Sequence, residues 1–94
     1  MTSRPSKKIE RACIKIGFSL DVSKHHRVLT YNGKDKRETL AYTYLSHGNK
    51  DYGDKLLSEV AHQLYLTKKE LIRLIDGELS REEYENILKI KGII

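Results

Sequence analysis

Apolar residues near the start of the chain recur at helical spacing. Ile9, Ala12, Cys13 and Ile16 fall at i, i+3, i+4 and i+7, one stripe of an amphipathic helix. Pro5-Ser6 suits its opening and Gly17 its close, which predicts a helix over about 6–17. From Phe18 to Leu45 the period shortens towards two. Residues 27–31 and 39–44 are rich in β-branched and aromatic side chains. Asn32-Gly33 between them favours the positive φ values of a two-residue type I′ turn, so a hairpin is predicted there. A shorter strand around Phe18–Val22 would make the sheet three-stranded and antiparallel.

Helical spacing returns after residue 53, where Leu56, Leu57, Val60, Ala61 and Leu64 form a second stripe. Two further helix starts are marked by capping boxes, Thr67-x-x-Glu70 and Ser80-x-x-Glu83. Each is flanked by a hydrophobic staple, Leu66 with Leu71 and Leu79 with Tyr84. Gly77 and Gly92 stand where C-terminal caps are expected. The predicted order is helix, three strands, then two to three helices: an α+β fold in one domain, 1–94, with no repeats.

Composition narrows the class. At 94 residues, 38% hydrophobic and 33% charged, the chain can build one modest core. No apolar run approaches the ~20 residues that span a bilayer, so no membrane association is expected. The opening residues carry charge without an apolar stretch, so no secretory signal is expected and the location is cytoplasmic. Cys13 is the one cysteine, which excludes an internal disulfide and any multi-cysteine zinc site. Flanked by Ala12 and Ile14, it reads as a buried thiol.

The net charge of +5 is unevenly spread. Residues 1–50 hold eleven Lys/Arg against four Asp/Glu, and 51–94 hold seven against nine. The excess points to a polyanion facing the first half. Lys24, Arg27, Lys34, Lys36 and Arg37 surround the hairpin and could hold phosphates. His25 and His26 open its first strand. Successive strand side chains point to opposite faces, so the pair cannot chelate one metal, and neither a metal nor another cofactor is expected. An imidazole there could instead move protons in phosphodiester cleavage. His47, between Ser46 and Gly48, precedes a helix start near Gly53, whose backbone N–H groups could receive an anion. Tyr42 and Tyr44 share one strand face; they could stack bases, but packing beneath the helices is the expectation.

A second pattern competes with RNA binding. Val60 to Leu71 has the apolar rhythm of a DNA-binding helix-turn-helix, which would make residues 54–76 a regulator module. Tyr65 stands where its turn ordinarily has glycine. Glu70, Asp76 and Glu78 also dilute the cations of its second helix.

Ser23-Lys24-His25-His26, the following hairpin, His47-Gly48-Asn49 and the apolar helix ending in Gln63-Leu64-Tyr65-Leu66-Thr67 resemble the HicA toxins over roughly residues 6–76. Those are small mRNA interferases paired with HicB antitoxins. The resemblance implies a double-stranded-RNA-binding-domain-like α-β-β-β-α arrangement, with an extra C-terminal helix here. It implies a metal-independent endoribonuclease whose strand histidine is catalytic, RNA as substrate and a HicB-like partner. The histidine carries over to His25 when matched from Ser23, and to His26 when matched through Arg27-Val28-Leu29-Thr30. Lys24, Arg27, Lys34, Lys36, Arg37 and His47 would bind the RNA. Three features depart from the family pattern: Val22 replaces the glycine before the serine, the stretch from Gly17 to Ser23 is short, and the helix from Ser80 is additional. A relative of this kind that had lost cleavage would remain a non-catalytic nucleic-acid-binding protein.

Overall fold

In the computed structural model, which describes residues 3–22, 27–33, 38–45 and 50–94, these patterns become nine elements. They run β1 (Arg4–Pro5), α1 (Ser6–Lys15), β2 (Phe18–Val22), β3 (Arg27–Asn32), β4 (Glu38–Leu45), β5 (Asp51–Tyr52), α2 (Asp54–Gln63), α3 (Lys68–Ile75) and α4 (Arg81–Ile90). The fold is α+β, with a three-stranded antiparallel sheet and four helices among the described residues.

Pro5 is the N-cap of α1, its φ of −69° already suited to helix entry. Ile9, Cys13 and Ile16 turn inward from the predicted stripe. Gly17 reverses the chain into β2 at a φ of +116°, where a Cβ would stand 3.1 Å from Arg81 Cζ. Ahead of α1, β1 pairs with β5. Ser6 secures that pairing: its backbone N–H donates to the Lys50 carbonyl at 2.7 Å, and the Lys50 N–H donates to its hydroxyl at 3.1 Å.

The sheet order is β2-β3-β4, with Val22 opposite Arg27 and Arg27 opposite Leu45. At the other end Asn32 is opposite Glu38, after a register shift beyond Thr30. The hairpin therefore forms, but not by the expected type I′ turn. Asn32 ends β3 instead of turning, and its N–H donates to the Gly17 carbonyl at 3.3 Å. Residues 33–37, rather than two, join the strands.

Alternation gives the sheet two unlike faces. Phe18, Leu29, Tyr31, Ala41, Thr43 and Leu45 are buried on the inner one. Helix α1 packs on β2 and β3, and α2 on β4. Phe18, Tyr31 and Tyr84 of α4 form an aromatic cluster, with Tyr31 and Tyr84 edge to face at 4.9 Å. The C-terminal helix thus closes the same core. Both capping boxes form with both hydrogen bonds, at Thr67 and at Ser80.

Candidate nucleic-acid interface

Of the residues singled out by sequence, Arg27 is described; Lys24, His25, His26, Lys34, Lys36, Arg37 and His47 lie outside the described residues. Arg27 opens β3 and its Nε donates to Glu10 Oε1 of α1 at 2.6 Å. That hydrogen bond raises the guanidinium pKa above its ordinary value. An arginine expected to meet phosphate is thus already partnered by a carboxylate seventeen residues earlier. Arg27 is opposite Val22 and Leu45 at one end of the sheet, and Asn32 lies at the other end of β3, ~17 Å away at ~3.3 Å per residue.

Positive charge collects on α1 instead. Lys8, Arg11 and Lys15 recur at i, i+3 and i+7. With Arg81 they line a groove of about 500 Å³ between α1 and the α3–α4 connection. Arg11 and Lys15 make no ion pair among the described residues. Asp76 is the acidic member of this groove, and it is engaged by Arg4 at 2.7 Å and Lys8 at 3.5 Å. The hydrogen bond from Arg4 holds the Asp76 carboxyl below its usual range. Sequence reasoning counted these cations in the charge excess without placing them, because their stripe is legible only as the polar side of a helix.

The open sheet face corrects one expectation. Tyr42 and Tyr44 are not beneath the helices: they are 44% and 48% exposed, whereas Ala41 and Thr43 are fully buried. Alternation puts the two tyrosines on one face but does not say which face the helices take. Their rings meet edge to face at 5.7 Å. They border a second groove, of about 440 Å³, closed on its far side by Gln63, Tyr65 and Lys91. Thr43 Oγ1 donates to Gln63 Oε1, which ties the end of α2 to β4. Lys91 Nζ donates to the Tyr65 carbonyl at 2.6 Å.

A short turn joins α2 to α3, and in it Tyr65 adopts a left-handed φ of 62° in spite of its Cβ. Two of the three cations of α3 are nevertheless engaged within the chain. Lys68 pairs with Asp54 at 2.8 Å and Arg73 with Glu83 at 3.2 Å. Asp54 also sits in the first turn of α2, so the N-terminus expected to receive an anion already carries a carboxylate.

Cys13 is fully buried and its thiol is pushed up to about 12 by desolvation, which makes it a packing residue and not a nucleophile. No group of three or more His, Cys, Asp or Glu among the described residues could hold a metal ion. No described helix is long and apolar enough to cross a membrane. The chain matches no protein-family profile, no curated protein and no solved structure.

Proposed function

We propose that this protein is a HicA-like, RNA-binding endoribonuclease that works in the cytoplasm without a metal ion. The observation that carries the reading is the strand register at one end of the sheet. Val22 is opposite Arg27 and Arg27 is opposite Leu45, so three neighbouring strand ends share one rim. Along the chain, His26 is next to Arg27, His25 is one residue further, and His47 is two residues beyond Leu45. In sequence, the histidines of both segments lie within two residues of Arg27 or Leu45. The element order adds support: α1, three antiparallel strands and α2, with both helices on one sheet face, suits a double-stranded-RNA-binding-domain-like arrangement. The α1 cations supply attraction for a phosphate backbone.

The chemistry follows from the substrate. An imidazole of His25 or His26 takes the proton of a ribose 2′-hydroxyl, and the oxygen attacks the adjacent phosphorus. The bond to the 5′-oxygen breaks, and an imidazolium returns a proton to that leaving group. The products are a 2′,3′-cyclic phosphate and a 5′-hydroxyl. No metal is needed, because the nucleophile lies within the substrate. An acidic HicB-like protein would cover the cationic surface and block it.

The test is cleavage of a mixed-sequence RNA in EDTA, with the DNA of the same sequence alongside. Wild type should cut the RNA and leave the DNA. His25→Ala/His26→Ala should abolish cutting while retaining binding. Undiminished cleavage by that variant removes the catalytic histidines. Wild-type binding without cleavage reduces the function to non-catalytic RNA binding.

A further inference from the structure

We infer that the groove between the outer face of β4 and the α2–α3 turn is a stacking site for unpaired RNA bases, with Tyr42 and Tyr44 as its platform. RNA binding as proposed above is its premise. The site adds a specificity that the proposed catalytic histidines and the α1 cations do not carry, a preference for single strands.

The two tyrosines stand about half exposed and in ring contact with each other, on the strand face opposite the buried one. The groove's volume of about 440 Å³ falls within the ~300–1,000 Å³ usual for small-ligand sites. Tyr65 lines its opposite wall from an unusual backbone position. Helices α2, α3 and α4 all end in the same motif, in which the second residue past the cap donates back across six residues: Leu66 to Ala61, Glu78 to Arg73 and Ile93 to Leu88. At the left-handed position of this motif α3 has Gly77 and α4 has Gly92, while α2 has Tyr65. A tyrosine accepts strain there that glycine would avoid, and what it adds is a ring beside the groove.

The polar members fit a nucleic acid better than an apolar peptide. Lys91, held against the Tyr65 carbonyl, and the exposed His62 stand at the rim. Among the described residues no carboxylate lines the groove. An aromatic wall with a lysine at its edge is the arrangement that binds bases by their faces and phosphates by charge. Duplex RNA does not satisfy it, because the base faces are already stacked on one another.

Binding is measured with 2′-O-methyl oligonucleotides, which lack the attacking hydroxyl and are not cut. The probes are a short uridine-rich single strand, the same strand with abasic sites, and a blunt duplex. Wild type should bind the single strand at least about tenfold more tightly than its abasic analogue. Tyr42→Ala/Tyr44→Ala should erase that difference and leave duplex binding unchanged. Tyr42→Leu/Tyr44→Leu, which keeps the strand and its apolar bulk, should behave like the alanine variant, and Tyr42→Phe/Tyr44→Phe like wild type. If wild type binds the single strand and the leucine variant binds it equally, the stacking site is wrong while RNA binding stands. Equal wild-type affinity for the abasic strand overturns it too, as does loss of binding by the phenylalanine variant. A wild type that binds none of the three removes RNA binding and this site together.

Discussion

Tyr31 Oη donates to Glu85 Oε1 at 2.7 Å, joining the central strand to the last helix across fifty-four residues. Arg81 Nε donates to the same phenol oxygen at 3.2 Å, and its Cζ lies 5.7 Å from the centre of the Tyr31 ring. Glu85 is only 3% exposed, so its carboxyl depends on partners within the protein. The helix that sets this chain apart from the HicA pattern is thus built into the core.

Disrupting that network should be costly and non-additive. Glu85→Ala leaves the Tyr31 hydroxyl without its acceptor and Arg81 without the carboxylate 3.7 Å from its Nε, and should lower stability by about 1–3 kcal/mol in urea unfolding. Tyr31→Phe should cost less. The double variant should lose clearly less than the sum of the two, because one interaction is removed twice. Strict additivity would mean that the contact contributes nothing.

Alkaline pH should unfold the protein early. Burial pushes the Tyr31 phenol and the Cys13 thiol each up to about 12, from ordinary values of 10.0 and 9.0. Desolvation also pushes up the Tyr84 phenol, whose hydroxyl donates to the Leu64 carbonyl at 3.0 Å. All three are acids whose folded pKa exceeds the unfolded value, so the unfolded chain releases protons first. Their contribution is whole below about pH 9 and is lost as pH rises to about 12. Melting temperature should fall steadily across that window. Tyr31→Phe should flatten the decline, and an unchanged slope would acquit the phenol.

RNA affinity should follow α1 and not α3. Arg11→Glu/Lys15→Glu should weaken RNA binding and reduce the slope of log affinity against log salt by roughly two. Lys68→Glu/Arg73→Glu should change neither RNA nor duplex DNA binding, since both cations already serve Asp54 and Glu83. Loss of duplex DNA binding in that second variant would instead favour the helix-turn-helix.

Tyr65 should expose the strain at the end of α2. Tyr65→Ala and Tyr65→Gly both delete the ring, but only alanine retains a Cβ at a φ of 62°. The glycine variant should therefore be the more stable of the two by about 1 kcal/mol in thermal or urea unfolding. Both should bind the single strand less tightly than wild type. Equal stabilities would show that the left-handed position carries no cost.

Much of the fold was legible because its signals are local. The stripe Ile9, Cys13, Ile16 and the two capping boxes each lie within a few residues and report one helix at a time. The hairpin was legible but its turn was not. The Asn-Gly preference gave way when Asn32 joined β3 and bonded to Gly17. Strands β1 and β5 have two residues each, too few to show any period. Of the candidate site, the charge excess was visible, but where that charge is spent was not.

The sequence by itself determined the order of the helices and of the three sheet strands, the starts of α3 and α4, the burial of Cys13 and the concentration of positive charge in the first half. These rest on hydrogen bonds and periodicities that span a turn or a pair of strands. Only the tertiary structure decided that Arg27 meets Glu10, that Tyr31 meets Glu85, and that Tyr42 and Tyr44 face outward. Alternation along β4 is symmetric between its two faces. Which face becomes the inside is chosen by helices packed from elsewhere in the chain, and that choice puts the tyrosines beside an open groove.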